Sequence, residues 1–210
     1  MTTRICLVRH GETAWNAERR IQGQLDIPLN ANGVAQARAT ANSLLHEEFA
    51  AVYASDLARA RHTAEAIAHV MHLAVTLRSD LRERNFGLFQ GRTYDECRQR
   101  HAAEFARFLA HEIDFVIPGG ESLSQFAARA QDCVAELARQ HRGSQVLIVT
   151  HGGFLDMIHR RATGHPLDAP RRCEIPNAAL NWIEADGDGW SVLAWADRSH
   201  LTGTLDELPG

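Results

Sequence analysis

The chain has 210 residues and no lysine: all 22 of its basic side chains are arginine, against 26 acidic ones, for a formal charge of −4. Without that amine it cannot be a pyridoxal-phosphate Schiff-base enzyme, a lysine-type aldolase or a P-loop nucleotidase. Its four cysteines, Cys6, Cys97, Cys133 and Cys173, form no C-x-x-C pair, which argues against a zinc knuckle or redox dithiol and fits reduced thiols. H-E-x-x-H is also missing, and His69 and His72 read as positions along a helix face, so neither a metal nor another cofactor is expected. No apolar stretch approaches the ~18 residues of a membrane span. The start, Met1-Thr2-Thr3-Arg4, leads into a run too short for a signal peptide, so the expectation is a cytoplasmic protein without a membrane partner. There is no basic block, and nucleic acid is not an expected partner. The expected assembly is a monomer or homodimer.

What the chain does have is guanidinium and imidazole, 22 Arg and 12 His. The first is a planar, permanently charged fork suited to phosphate or carboxylate; the second titrates near neutrality. Codon bias explains part of the arginine content, so position has to decide which of these residues form a site.

Apolar β-type runs alternate with helical patterns. Arg4 to Val8, Ala51 to Ala54, Val75 to Leu77 and Gln145 to Val149 read as strands, and the continuous apolar run Val146-Leu147-Ile148-Val149 suggests burial on both faces. Asn30 is expected to cap a helix to about His46, Asp56 one to about His72, and Ser122 one to about His141. The last carries Phe126, Ala130, Cys133, Val134 and Leu137 on one face. This alternation predicts an α/β fold, a three-layer, doubly wound, mostly parallel sheet with helices on both faces. Leu180 to Glu184 and Trp190 to Ala194, around Asp186-Gly187-Asp188-Gly189, predict a hairpin that adds an antiparallel edge near the C-terminus. Residues 92–118 read as a helical insertion covering the site.

Ligands of open parallel sheets bind beyond the carboxyl ends of strands. Three junctions qualify: Arg9-His10-Gly11-Glu12-Thr13 after the first strand, Ser55-Asp56-Leu57-Ala58-Arg59-Ala60-Arg61 after the second, and Thr150-His151-Gly152-Gly153 after the fourth. The glycines beside both histidines let backbone approach a ligand, and the two helix starts offer N–H groups to an anion. A tetrahedral dianion fits this setting.

These segments resemble the histidine phosphatase, or phosphoglycerate mutase-like, superfamily. Arg9-His10-Gly11-Glu12-Thr13-Ala14-Trp15-Asn16 is similar to its signature, and Gly23-Gln24-Leu25-Asp26-Ile27-Pro28-Leu29-Asn30 with Gly33 and Gln36-Ala37 to the segment that follows. Ser55 to Ala60 with Thr63-Ala64, then Leu81-Arg82-Glu83 with Phe86-Gly87 and Gly91, Gly120-Glu121-Ser122, and Val149 to Gly152 continue in family order. The resemblance implies one histidine phosphatase domain over residues 1–210. It implies that His10 is the nucleophile and becomes phosphorylated, that Arg9 and Arg59 hold phosphate oxygens and keep His10 neutral, and that His151 donates to the phosphoryl group in place of a metal. It carries over Gly11, Glu12, Thr13, Asn16, Gln22, Gly23, Arg61 and Gly152, with Arg9 and Arg59, as phosphate or substrate contacts.

On its residues alone Glu83 is a surface carboxylate paired with Arg82 or Arg84; the resemblance makes it the general acid and base. Fold does not choose the reaction, since the family includes mutases and phosphatases. About 30 residues lie between Gly91 and Glu121, a short cover, and a cover that admits water favours hydrolysis. A metal-independent phosphatase acting on a small phosphate monoester is therefore expected, with a cofactor-dependent phosphoglycerate mutase and a non-catalytic phosphate-binding module as rivals. Phe86, Phe89, Phe105, Phe108 and Phe115 form either an apolar wall beside the pocket or ordinary helix packing. The chain departs from many relatives after Asn177, where Ala178-Ala179 stand in place of a Ser or Thr.

Overall fold

A computed structural model describes residues 1–186 and 189–208. Strand β1 (Thr3–Arg9) leads to a short helix α1 (Ala14–Ala17) and to α2 (Ala31–Ser43). Then follow β2 (Ala51–Ser55), α3 (Ala58–Met71), β3 (Val75–Arg78), and 3₁₀ turns at Ser79–Leu81 and Gly87–Phe89. Helices α4 (Tyr94–Arg100), α5 (Ala102–Leu109) and α6 (Leu123–Gln140) precede β4 (Gln145–Thr150), α7 (Gly152–Thr163), β5 (Leu180–Asp186) and β6 (Gly189–Asp197).

The six strands form one sheet in the order β3-β2-β4-β1-β5-β6. The first four are mutually parallel, and β5 and β6 add the expected antiparallel edge. Gly187 and Asp188, the middle of the expected hairpin turn, lie outside the described residues. Period-2 alternation sends the two faces of each strand to different layers. Ile5 and Leu7 of β1, with Val146 and Ile148 of β4, pack against α6 and α7. Cys6, Val8, Leu147 and Val149 pack against α2 and α3. All four apolar residues of β4 are fully buried, each contributing roughly 1.5–3 kcal/mol relative to exposure.

A third apolar cluster lies over the carboxyl ends of the strands. Phe89, Phe105, Phe108, Phe115 and Ile117 gather there with Ile21 and Cys97, and residues 92–118 contain α4 and α5. Asn30 caps α2 by accepting Gly33 N–H (2.8 Å), although the helix stops at Ser43, short of His46. Ser122 caps α6 in a reciprocal box with Gln125, and its expected apolar face is buried throughout.

The expected cap at Asp56 is not made. Leu57 occupies the cap position of α3 without a side-chain bond. Asp56 instead accepts two bonds of 2.6 Å from the Arg82 guanidinium, and Asp26 takes the Ala58 N–H at 2.7 Å. A bidentate, charge-assisted pair outcompetes one capping bond, and a distant carboxylate meets the orphaned donor.

Candidate active site

β1 and β4 pair in register up to Arg9 and Thr150, and His10 N–H donates to Thr150 O across the last rung (2.9 Å). The next residue on each strand is a histidine, and the two rings meet edge to face with centroids 5.2 Å apart. Parallel register therefore converts two histidines 141 positions apart into neighbours.

Both rings are held neutral. Burial pushes His10 well below the usual imidazole range, and the Arg59 and Arg9 charges push it further. His151 is lowered by burial first, then by Arg59, His10 and Arg9. The sequence argument assigned this effect to the arginines; burial is the larger cause. His10 Nδ1 lies 2.7 Å from Gly11 O. A carbonyl only accepts, so Nδ1 carries the proton and Nε2 keeps its lone pair.

His151 Nε2 lies 2.8 Å from Ser55 Oγ, which also accepts Leu57 N–H at 3.4 Å. With Ser55 O–H donating to Nε2, the proton of His151 sits on Nδ1, a buried atom with no partner. Ser55 lies in a quoted motif, but sequence reasoning gave it no task.

Two arginine donors near the histidines, Arg9 Nε and Arg59 Nε, also have no partner among the described residues. The rest of each fork is tied down. Arg59 donates to Gly23 O (2.6 Å) and Leu25 O (2.8 Å). Arg9 donates to Ile175 O (2.7 Å) and Leu205 O (3.2 Å) and pairs with Glu207 at 2.9 Å. Native interiors leave few donors unsatisfied; three beside one neutral imidazole are suited to a bound anion.

Glu83 is buried, not a surface carboxylate, and pairs with neither flanking arginine. It accepts Arg84 N–H at Oε1 (2.8 Å) and Gly153 N–H at Oε2 (2.9 Å). Burial first, then the Glu207 charge, raises its carboxyl to about 7 against the lowering by those N–H bonds and Arg59. Arg129 fixes the segment by donating to the carbonyls of Asp80, Arg82 and Glu83.

Helix starts behave differently from expectation. The N–H groups of Ala58 and Gly153 are already engaged by Asp26 and Glu83. A Cβ on Gly152 would collide with the Glu207 carboxylate, and one on Gly153 with that of Glu83. The glycine pair therefore admits two carboxylates of the protein itself at the start of α7.

His10, Asn16, Gln22, Gly23, Arg59, Glu83 and Gly152 line a cavity of about 410 Å³, while Arg9, Ser55 and His151 stand behind that lining. Other carried-over residues serve the frame. Gly11 packs against the Gly33 backbone, Thr13 and Asn16 close the capping box of α1, and Glu12 accepts Asn30 Nδ2 at 2.7 Å. Arg61 is not brought to the cavity: its side chain is 40% exposed and faces Glu65 one helical turn on.

The aromatic expectation divides, since Phe86, Phe108 and Phe115 line the cavity while Phe89 and Phe105 are buried packing. Asn177 supports the strand end by donating to His10 O (2.9 Å), and Ala178 is buried with φ +60°. Arg84 was not singled out as a site residue, yet it lines the same cavity. Its buried guanidinium is bonded to Glu121 O and lies over the Phe86 and Phe108 rings, and burial lowers it to about 10.

Comparison with known proteins agrees with this geometry. Among the described residues, no helix is long and apolar enough to cross a membrane. A metal-independent phosphoserine phosphatase of Arabidopsis thaliana is 40% identical over 203 residues, 95% of this chain and 84% of that protein. A probable phosphoglycerate mutase of Salmonella choleraesuis is 36% identical, over 97% of this chain and 98% of that one. Among solved structures, Bacillus stearothermophilus YhfR superposes with a TM-score of 0.85 at 34% identity, covering 94% and 98% of the two chains. A mycobacterial glucosyl-3-phosphoglycerate phosphatase gives 0.79 at 28%, covering 94% and 100%. The family model for the histidine phosphatase superfamily, branch 1, matches residues 5–198, and the chain belongs to that superfamily.

Proposed function

We propose that the protein is a metal-independent phosphatase that hydrolyses a small phosphate monoester through a phosphohistidine on His10. The observation that carries the reading is a neutral His10 with its Nδ1–H fixed by Gly11 O and its Nε2 lone pair free, in a cavity it shares with a carboxyl raised to about 7. The Nε2 pair attacks phosphorus and the P–O bond to the leaving group breaks. The Glu83 carboxyl gives its proton to the departing oxygen, which a poor alkoxide leaving group requires.

Water then attacks the phosphorus of phospho-His10, its proton passes to the Glu83 carboxylate, and the P–N bond breaks to release inorganic phosphate. Arg9, Arg59 and His151 Nδ1–H stabilise the negative charge of the transferring group without reorganising. Asn16, Gln22, Gly23 and Gly152 are read as contacts of the bound ester, and residues 1–210 as one domain whose helical cover limits access.

Hydrolysis is favoured over mutase chemistry by the short cover, because reorienting a diphosphorylated intermediate requires water exclusion. The test is a panel of phosphate esters with chelator present, including phosphoserine, the substrate named for the Arabidopsis relative. Phosphate release is measured beside interconversion of 2- and 3-phosphoglycerate. Release without interconversion is expected; fast interconversion with little release would assign the mutase reaction.

A further inference from the structure

Leu205, Asp206, Glu207 and Leu208 line the catalytic cavity, and Glu207 places a carboxylate in its wall. Glu207 Oε2 is 2.9 Å from Arg9 Nη2, a guanidinium only 1% exposed. The same carboxylate sits against the start of α7, where Gly152 has no side chain to exclude it. It is close enough to Glu83 to be the second cause of that carboxyl's upward shift, and it favours the charged form of Arg59. A carboxylate thus contacts Arg9, which the mechanism assigns to the phosphoryl group, and Gly152, read as a contact of the bound ester.

Its placement is built by the chain around it. Leu205 O accepts Asn177 N–H (3.0 Å) and Arg9 Nη1–H (3.2 Å). Asp206 Oδ1 accepts Ile175 N–H at 2.6 Å, Arg171 Nη2–H donates to Glu207 O at 2.8 Å, and Gln36 Nε2–H donates to Gly203 O at 3.1 Å. The tethers are polar and partly exposed, and Leu208 adds a half-buried apolar contact to the Phe89–Phe108 cluster.

We propose that Glu207 is the resting occupant of the phosphoryl site, and that the C-terminal segment is a built-in competitor that substrate displaces. The proposal rests on the reading of this cavity as a phosphate pocket. A carboxylate carries one negative charge and a phosphate monoester close to two, so the arginines favour the exchange. The exchange lowers apparent affinity, because part of the binding free energy goes to moving Glu207 out. It also selects against anions that carry a single charge.

The experiment compares wild type with Glu207→Gln, which keeps shape and tethers and removes the charge. Binding of inorganic phosphate is measured by titration calorimetry, and KM with p-nitrophenyl phosphate. Phosphate Kd and KM are expected to fall together by about tenfold, the order of one charge-assisted contact. Arg171→Ala, which loosens the tether, is expected to move both in the same direction by less. Unchanged Kd overturns the proposal, and weaker binding reassigns Glu207 as a ligand contact. Absence of phosphate binding in wild type and variant alike contradicts the phosphate-pocket reading itself, which separates the two failures.

Discussion

His10 and His151 stand at the ends of strands whose apolar side chains are buried on both faces, whereas Glu207 reaches the same cavity from a C-terminal tail tethered by polar contacts to Arg9, Gln36, Arg171 and Ile175. Each histidine inherits its position from β-ladder register, and the two rings cannot separate without breaking the sheet. The tail can shift by exchanging its tethering hydrogen bonds with water, at a cost of about 1 kcal/mol each. The difference teaches a division of labour: the two imidazoles that meet the phosphoryl group are placed at the ends of the paired strands, and the carboxylate that occupies their cavity on a tail held by exchangeable contacts.

The largest effect expected is on the strand end. His10→Ala removes the attacking atom, and phosphate release is expected to fall on the order of 10⁴-fold or more with the melting temperature little changed. Glu83→Gln leaves His10 intact and removes the proton donor, so esters with alkyl leaving groups should lose about 10²- to 10⁴-fold in kcat/KM, which reports transfer to His10 and not the later hydrolysis. A p-nitrophenyl ester, whose leaving group needs no proton, should lose far less. Equal losses on both esters would take Glu83 out of the acid role.

The same residue predicts a pH profile. Burial and the Arg59 and Arg9 charges hold His10 well below the usual imidazole range, while Glu83 is raised to about 7. The active form has His10 neutral and Glu83 protonated. The kcat/KM for an alkyl ester is therefore expected to be level on the acid side and to fall about tenfold per pH unit above about 7, with no such limb for the p-nitrophenyl ester.

A smaller effect is expected at Ser55, which orients His151 without touching substrate. Ser55→Ala removes one hydrogen bond, and kcat should drop about tenfold, the equivalent of roughly 1.4 kcal/mol. The smallest belongs to Arg61, which points away from the cavity: Arg61→Ala is expected to change kcat/KM by no more than about twofold. A loss comparable to that of Arg59→Ala would place its side chain back in the site.

The same comparison explains what was legible in the sequence. His10, His151 and Arg59 could be located because strand ends and helix starts have local signatures, and parallel topology sends those ends to one edge. Glu83 required the family likeness, because nothing in Leu81-Arg82-Glu83-Arg84 shows that the carboxylate turns inward to the Arg84 and Gly153 N–H groups. Asp56 misled because a good capping residue was captured by Arg82, 26 positions away. Arg61 misled because motif adjacency to Arg59 says nothing about which face of a helix it occupies; two positions on, it faces Glu65. Glu207 had no signal at all, since its meaning lies in a contact with Arg9 at the far end of the chain.

The central claim is chemical: the neutral Nε2 of His10 takes the phosphoryl group. A rapid-quench experiment with a ³²P-labelled monoester, followed by assignment of the phosphohistidine isomer, tests it directly. The account predicts acid-labile, alkali-stable label on His10 at Nε2, formed faster than turnover and absent in His10→Ala. Label at Nδ1, label on another residue, or turnover with no labelled protein at any time would contradict it.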